Sequence, residues 1–172
     1  MTKLLLSDMD GTLLPFGAHV VSDRTRKAIR AAQKAGLHFG PASGRDRASL
    51  LPSFADDRTC VQTGIMGNGK QVFLDGRAIL LKTFDPAAIE ALAQAVLPYR
   101  GCFVIVNATE DPTGFDLSGL CLGVGPDDED AFASIAAARQ KADVTAAVPA
   151  GRSILSGGVF IDEKHANATE VR

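Results

Sequence analysis

The chain has 172 residues, of which 46% are hydrophobic and 22% are charged, and its formal net charge is −2 at pH 7. This composition is typical of a soluble globular protein and excludes a disordered chain, while the lack of a basic excess argues against a nucleic-acid partner. No apolar run approaches the roughly 18 residues of a membrane span, so we expect no membrane partner and a cytoplasmic location. The length suits one ordinary domain, or a core with one small insertion.

A hydrophobic run near the N-terminus ends in two acidic residues. Lys3–Ser7 is typical of a strand that is covered on both faces in a parallel sheet, and Asp8 and Asp10 follow it. The period of two along a strand directs both carboxylates the same way, and parallel sheets bind ligands at the carboxyl ends of their strands. Gly11 permits a sharp turn. Because neighbouring carboxylates repel each other, the pair predicts Mg²⁺ and a phosphate ligand.

The next segment predicts a helix and a second parallel strand. The helix is expected to begin after the N-cap Ser22 and to end at Gly36, as the crossover of a right-handed βαβ unit. Its narrow apolar face comprises Ala28, Ile29, Ala32 and Ala35. The strand at residues 37–42 ends in Ser43, Gly44 and Arg45, so the Ser43 hydroxyl is expected at the same sheet edge as Asp8.

A glycine-rich segment has the spacing of a nucleotide-binding P-loop, but its context argues against one. The residue after Gly64–Lys70 is Gln71, which lacks the hydroxyl that should hold Mg²⁺. Asp75 and Gly76 stand between two apolar runs and predict a β-hairpin over residues 71–80 instead. Before this segment, a short helix is expected at residues 46–51 and a third strand at residues 60–63.

From Thr83 the pattern changes to helix, strand, strand, helix, strand, strand, which predicts an inserted α+β unit. The first helix is expected after the N-cap Asp85, and the second after Pro126 with Phe132, Ile135 and Ala136 pointing inward. The expected strands are residues 102–106, 117–124, 143–148, 152–155 and 159–161. The cysteines, which we interpret as reduced core residues because they are odd in number and lie in apolar runs, are Cys60, Cys102 and Cys121.

Three motifs occur in order: Asp8–Thr12, Ser43–Arg45, and Asn68 with Gly69 before the hairpin. Together they resemble the haloacid dehalogenase (HAD) superfamily, in its branch of Cof-type sugar and metabolite phosphatases. The resemblance implies an α/β fold with a Rossmann-like parallel-sheet core at residues 1–84, an inserted α+β cap domain at residues 85–163, and a truncated return toward the core at residues 164–172.

The resemblance also implies a reaction and the residues that perform it. Asp8 would be the nucleophile that forms an aspartyl-phosphate, and Asp10 the general acid and base. Ser43 would hold a phosphoryl oxygen, and Mg²⁺ would bind the Asp8 carboxylate and the Asp10 carbonyl. The implied activity is Mg²⁺-dependent hydrolysis of a small phosphorylated metabolite, such as a sugar phosphate. The other implied substrate-binding residues are Gly11, Thr12, Gly44, Arg45 and Asn68.

The sequence departs from the family pattern near its end. The lysine expected just after Asn167 is absent, and Lys164 is the nearby substitute that we name as a further catalytic candidate, although lysine is more often a surface residue. The expected Gly-Asp metal motif is also absent, and Asp127–Asp130 is better explained as acidic residues that complement a helix dipole. Without further core strands, Lys3–Ser7 would be an exposed edge that a homodimer or a partner chain covers.

Three classes of function are therefore open. The first is the phosphatase described above. The second is a truncated, catalytically impaired relative that binds phosphate, Mg²⁺ or a partner chain. The third is a receiver domain, which requires a phosphoacceptor aspartate at the end of a third strand. Residues 62–64 offer none, so this class ranks last.

Overall fold

A computed structural model of the chain describes residues 3–138 and 141–165. These residues form two compact units. The first comprises the described residues up to Lys82 together with Thr113–Phe115, and the second comprises Thr83–Pro112 and the described residues from Asp116 onward. The segment of 166–172, where the family's lysine was expected, lies outside the described residues.

The first unit is built on a five-stranded sheet with the strand order β1–β2–β3–β4–β5. Three of its strands run parallel, and they are β1 (Lys3–Asp8), β2 (Leu37–Ala42) and β3 (Gly64–Met66). The last two form an antiparallel hairpin of β4 (Gln71–Leu74) and β5 (Arg77–Leu81). The hairpin confirms the prediction and excludes a P-loop, because a P-loop must open into a helix.

Helix α1 (Asp23–Lys34) connects the parallel strands β1 and β2, so the predicted βαβ unit is confirmed. The Ser22 hydroxyl accepts the Thr25 N–H at 3.1 Å and thereby satisfies one of the free donors of the first turn. Ile29 is buried on the inner face of α1. Gly36 follows the helix with φ +83°, a left-handed conformation that glycine adopts without strain.

The hydrophobic core of the first unit leaves β1 largely uncovered. Its buried members are Met9, Leu14, Val21, Ile29, Phe39, Leu50, Phe54, Cys60, Val61, Met66 and Phe73. Leu4 and Leu5 of β1 are 53% and 49% exposed, and β1 is the outermost strand of the sheet. Coverage of β1 on both faces was therefore a wrong prediction for the described residues, and the expected exposed edge is confirmed.

The third strand was predicted four residues too early. Cys60 and Val61 lie in a 3₁₀ turn that spans Arg58–Val61, and β3 begins only at Gly64. The carboxylate of Asp57 accepts the Thr59 N–H, from the second residue of that turn, at 3.1 Å. Such a local side-chain bond offers the backbone an alternative to strand pairing, and apolar composition alone does not reveal it.

The predicted short helix after Arg45 is split in two. Helix α2 covers Arg47–Leu50, and a 3₁₀ turn continues over Leu51–Phe54. The helical conformation continues past Pro52 because proline is tolerated in the first turn of a helical segment, where its missing N–H costs no hydrogen bond.

A buried arginine crosses the core of the first unit. Arg47 is 5% exposed, and its guanidinium lies 4.3 Å from the ring centroid of Phe73 and 4.4 Å from that of Phe115. It also donates hydrogen bonds to the carbonyls of Val61 at 3.0 Å and Thr113 at 2.6 Å. Aromatic faces and carbonyl oxygens thus replace the water that the buried cation has lost.

The second unit has a four-stranded sheet with the order β8–β7–β6–β9. Its central strand β6 (Cys102–Thr109) pairs antiparallel with β7 (Ser118–Leu122) and β9 (Ser153–Ile161), while β8 (Ala142–Val144) is parallel to β7.

Two helices cover opposite faces of this sheet. Helix α3 (Pro86–Val96) packs on the sheet face that carries Val104, and helix α4 (Glu129–Ala137) packs on the face that carries Phe103. Adjacent residues of a strand point to opposite faces, so the two helices lie on either side. The predicted N-cap of α3 is confirmed, since the Asp85 carboxylate accepts a first-turn N–H at 3.0 Å.

Several predictions for the second unit were wrong. Of the strand expected at residues 143–148, only the start is present, in β8 (Ala142–Val144). The strands expected at residues 152–155 and 159–161 are one continuous strand, β9, in which Gly157 approaches Val106 so closely that an added Cβ would lie 2.7 Å from its side chain. Phe132 is 43% exposed and Ala136 is also exposed, so neither points inward as predicted. Because Ala131 and Ile135, four residues apart, form the buried stripe of α4, Phe132 falls outside it.

The predicted core positions of Cys60, Cys102 and Cys121 are confirmed, since all three are buried free thiols. Burial raises the pKa of the Cys60 thiol to about 11, with a further contribution from the nearby Asp57 carboxylate. In the part of the chain that the structure describes, every helix is too short or too polar to cross a membrane.

Candidate active site

The carboxyl ends of β1, β2 and β3 meet at one edge of the first sheet. Asp8 pairs in register with Ala42 across β1 and β2, and Ala42 pairs with Ile65 across β2 and β3. The loops that follow these three strands therefore begin side by side. They carry the acid pair, the Ser43–Arg45 motif and Asn68, as the sequence predicted for the ends of parallel strands.

Asp8 and Asp10 lie on either side of a buried residue, Met9. Met9 is fully buried, whereas Asp8 and Asp10 are exposed on either side of it. The Met9 carbonyl accepts the N–H groups of Thr12 at 3.3 Å and Leu14 at 2.8 Å, which turns the loop back on itself. The anchored backbone thus holds both carboxylates at the surface of the sheet edge.

Gly11 suits this loop for two reasons. Its φ is +80°, a left-handed conformation that side chains rarely adopt, and an added Cβ would lie 3.3 Å from the Phe16 ring. Its N–H donates to the Leu14 carbonyl at 2.7 Å. Gly11 and Thr12, two predicted substrate-binding residues, are both exposed in the loop after β1.

The second and third strand ends are joined by backbone hydrogen bonds. The Ser43 N–H donates to the Ile65 carbonyl at 2.9 Å, and the Asn68 N–H donates to the Ser43 carbonyl at 3.3 Å. The Ser43 hydroxyl accepts the Arg45 N–H at 3.2 Å. At Gly44, an added Cβ would lie 2.9 Å from the Asn68 side-chain oxygen, so the absence of a side chain there lets Asn68 approach.

An ion pair connects the first and second strand ends. The Arg45 guanidinium lies 2.6 Å from the Asp10 carboxylate and also donates to the Ser53 hydroxyl at 3.3 Å. The two charged side chains are 40% and 62% exposed. Ion pairs this exposed contribute about 0–1 kcal/mol, so a phosphate ligand could displace either partner at little cost.

Lys164 belongs to the second unit and has a structural partner there. Its ammonium lies 3.1 Å from the Asp130 carboxylate, at the start of α4, and the lysine side chain is 71% exposed. Hydrogen bonds from His165 and then Lys164 lower the pKa of Asp130, and the bond to Asp130 raises the pKa of Lys164. A catalytic role for Lys164 stays a prediction.

Acidic residues at the start of α4 have the structural role that the sequence favoured. The Asp128 carboxylate accepts the Ala131 N–H at 3.0 Å as the N-cap, and Glu129 and Asp130 lie in the first turn. Negative charge at this end of a helix complements the helix dipole.

A sequence comparison decides the family. A sequence model of haloacid dehalogenase-like hydrolases matches residues 5–113, which is more than half of the chain. The chain belongs to this family. The match includes all three motifs of the strand ends, and a search of curated proteins finds no match.

Solved structures show the same α/β fold. SMU.1108c from Streptococcus mutans is 14% identical with a TM-score of 0.62, and 96% of this chain and 59% of that chain are covered. TM0651 from Thermotoga maritima is 19% identical with a TM-score of 0.57, covering 84% of this chain and 50% of that one. BT1666 from Bacteroides thetaiotaomicron, analysed among phosphatases of the haloalkanoate (HAD) superfamily, is 23% identical with a TM-score of 0.53 and covers 84% and 50%. This HAD chain spans about half the length of these structures.

Oxygen donors at the site of this HAD chain fit part of a Mg²⁺ site. The Asp8 carboxylate and the Asp10 main-chain carbonyl stand two residues apart on one loop, and proteins often bind Mg²⁺ through one or two carboxylates plus substrate and water oxygens. Across residues 3–138 and 141–165, no group of three or more acidic, histidine or cysteine side chains could hold a metal. An ion held here would therefore take most of its ligands from substrate and water.

Sequence reasoning missed Ser53, whose hydroxyl accepts a hydrogen bond from the Arg45 guanidinium. Ser53 is buried, and besides holding the Arg45 guanidinium it accepts the Val21 N–H at 2.8 Å through its carbonyl. It lies in the 3₁₀ turn after α2, within a segment whose sequence carries no signal for a polar contact. Only the fold brings Ser53 within hydrogen-bond distance of Arg45.

Proposed function

We propose that this HAD chain hydrolyses phosphate monoesters of small metabolites, with Asp8 as the nucleophile. The observation that carries the proposal is the meeting of three strand ends, which groups two exposed carboxylates with a hydroxyl and a guanidinium. Ser43 and Arg45 are the groups in this cluster suited to bind phosphoryl oxygens, because one offers a hydroxyl donor and the other a planar fork of N–H donors.

The proposed reaction has two steps. In the first, an Asp8 carboxylate oxygen attacks phosphorus, the bond from phosphorus to the leaving oxygen breaks, and Asp10 gives its proton to the leaving alkoxide. In the second, Asp10 takes a proton from water, whose oxygen attacks the aspartyl-phosphate and releases inorganic phosphate. Asp8 and the protonated Asp10 are thereby regenerated.

Positive charge is needed because an anionic carboxylate must approach an anionic phosphate. Arg45 supplies one such charge, and its exposed pairing with Asp10 leaves it able to turn toward a bound phosphate. Mg²⁺, held by the Asp8 carboxylate and the Asp10 carbonyl, would shield the remaining repulsion when bound. We further propose a cytoplasmic location, which the three free, buried thiols support.

A second candidate function is binding of phosphate or Mg²⁺ without hydrolysis. One observation favours it: the described residues hold no group of three or more acidic, histidine or cysteine side chains that could bind a metal. Phosphate binding needs only the donors of Ser43 and Arg45, whereas turnover also needs strong stabilisation of the transition state.

Phosphate release from a panel of sugar phosphates, with Mg²⁺ and with a chelator, tests the proposal. The purified chain should release phosphate only with Mg²⁺, and Asp8→Asn should lower the rate by about 10³-fold or more because the nucleophile is lost. Asp56→Asn is the matched control, since Asp56 is exposed and its φ of +60° suits asparagine. Undiminished turnover by Asp8→Asn would refute the mechanism. Phosphate or Mg²⁺ binding by calorimetry without any turnover would select the second candidate instead.

A further inference from the structure

A glutamine occupies a core-facing position at the start of β4. Gln71 is 1% exposed, and Phe73, two residues later in the same strand, is 2% exposed. Because side chains two residues apart lie on one face of a strand, both point into the interior of the first unit. Glutamine is mostly an exposed residue, so its complete burial calls for an explanation in its hydrogen bonds.

The side-chain oxygen of Gln71 caps helix α2. The N–H of Arg47, the first residue of α2, donates to Gln71 Oε1 at 3.0 Å. Asp46 occupies the N-cap position of this helix, but its side chain accepts no capping hydrogen bond. A residue of a strand thus supplies the acceptor that a helix usually takes from its own N-cap side chain.

The bond from Arg47 to Gln71 helps to fix the loop that carries the Ser43–Arg45 motif. Main-chain hydrogen bonds also join this loop to the segment that carries Asn68. They run from the Ser43 N–H to the Ile65 carbonyl at 2.9 Å, from the Gly67 N–H to the Arg45 carbonyl at 2.9 Å, and from the Asn68 N–H to the Ser43 carbonyl at 3.3 Å. Unlike these three, the bond to Gln71 involves a side chain, so a substitution can remove it.

The other end of the Gln71 amide shows that stability alone does not favour glutamine here. Its Nε2 group is buried and has no hydrogen-bond partner among the described residues. A buried donor without an acceptor costs stability, and an apolar side chain of the same length would avoid that cost. The feature that such a side chain could not replace is the acceptor for the Arg47 N–H.

We propose that Gln71 is a positioning residue of the candidate active site. By holding the Arg47 N–H, it fixes the start of α2 and thereby the Arg45 main chain two residues earlier, so that the Arg45 guanidinium can bind a phosphoryl group. Gln71 itself is too deeply buried to touch a ligand. The inference rests on the proposed function, because that function assigns phosphate to Arg45.

Calorimetric titration with inorganic phosphate in the presence of Mg²⁺ tests this role. Gln71→Met keeps the length of the side chain but removes the acceptor, so it should weaken phosphate binding by about three- to tenfold. Gln62→Met makes the same exchange at an exposed position and is the matched control, which should bind phosphate as the wild type does. Circular dichroism checks that each variant is folded.

A double-mutant cycle with Arg45→Met separates positioning of Arg45 from a general loosening of the fold. If Gln71 acts through Arg45, then Gln71→Met should weaken phosphate binding by less than about twofold once Arg45 is already methionine. Equal weakening in both backgrounds, or wild-type affinity in Gln71→Met, would overturn the inference and leave the proposed function standing. A wild-type chain that binds no phosphate would refute the proposed function and the inference with it.

Amide hydrogen exchange of the wild-type chain, followed by NMR, tests the contact without any substitution. The Arg47 N–H should exchange slowly because Gln71 Oε1 accepts it, whereas first-turn N–H groups of a helix otherwise lack an acceptor within the helix. The Gly67 N–H, which donates to the Arg45 carbonyl, is the internal reference for a protected amide of this loop. Exchange of the Arg47 N–H at the rate of an unfolded chain would overturn the inference.

Discussion

Replacement of Arg47 by methionine tests how the core of the first unit tolerates a buried cation. Methionine keeps the apolar stem of the side chain but removes the guanidinium. The variant loses two cation–π contacts, at 4.3 Å from Phe73 and 4.4 Å from Phe115. It also leaves the carbonyls of Val61 and Thr113 without the hydrogen bonds that Arg47 donates to them.

The expected cost follows from these four contacts. A desolvated cation–π contact contributes about 1–2 kcal/mol, and loss of its donor costs about 1–3 kcal/mol at the buried Val61 carbonyl but little at Thr113, which is exposed to water. Part of this loss is offset because methionine carries no charge that must be removed from water. We therefore expect Arg47→Met to lower the free energy of unfolding by about 2–4 kcal/mol.

Urea unfolding followed by circular dichroism measures this change. Arg58→Met is the matched control, because Arg58 is exposed and lies 4.8 Å from the same Phe115 ring, so its loss should cost less than about 1 kcal/mol. The reasoning fails if Arg47→Met changes the free energy of unfolding by less than about 0.5 kcal/mol, or if Arg58→Met is the more damaging of the two.

Two further predictions concern titration. The lowered pKa of Asp130 adds stability that is present above the unfolded value of 3.8 and is lost as the pH falls through the folded pKa. The raised pKa of Lys164 adds stability that is present below the unfolded value of 10.5 and is lost as the pH rises through the folded pKa. Lys164→Met should therefore destabilise the chain between about pH 4 and 10 and have little effect outside that window, as urea unfolding at several pH values would show; an effect that is constant with pH would contradict the ion pair. Because burial raises the pKa of Cys60 to about 11, its alkylation by iodoacetamide at about pH 8 should be slow until the protein unfolds, and rapid labelling of the native protein in mass spectrometry would contradict its burial.

Features that depend on neighbours in sequence were predicted well. Ser22 caps α1 with its own side chain, and Asp75 and Gly76 form a hairpin turn because both adopt positive φ values, 50° and 80°. The position of Asp8 and Ser43 at neighbouring strand ends also followed from the sequence, because a βαβ unit places the carboxyl ends of its two parallel strands at one edge of the sheet.

Features that depend on distant contacts were not predictable. The pairing of Arg45 with Asp10 and Ser53 joins three loops whose relative placement only the sheet determines. Phe132 looked like a core residue by composition, but the rotation of α4 about its axis is set by which residues best fill the sheet surface, and Ala131 occupies that place. Apolar character alone therefore predicted which segments are helices or strands better than which side chains are buried.

The membership of Thr113–Phe115 in the first unit limits how the protein can be dissected. A shortened gene product that stops at Lys82 would lack the Phe115 ring and the Thr113 carbonyl, so Arg47 would keep only part of its surroundings. The chain passes from one unit to the other at three places along its sequence, and a single cut cannot separate the units cleanly. Exchange of the second unit for another would therefore have to keep Thr113–Phe115 with the first unit, so that Arg47 retains these partners.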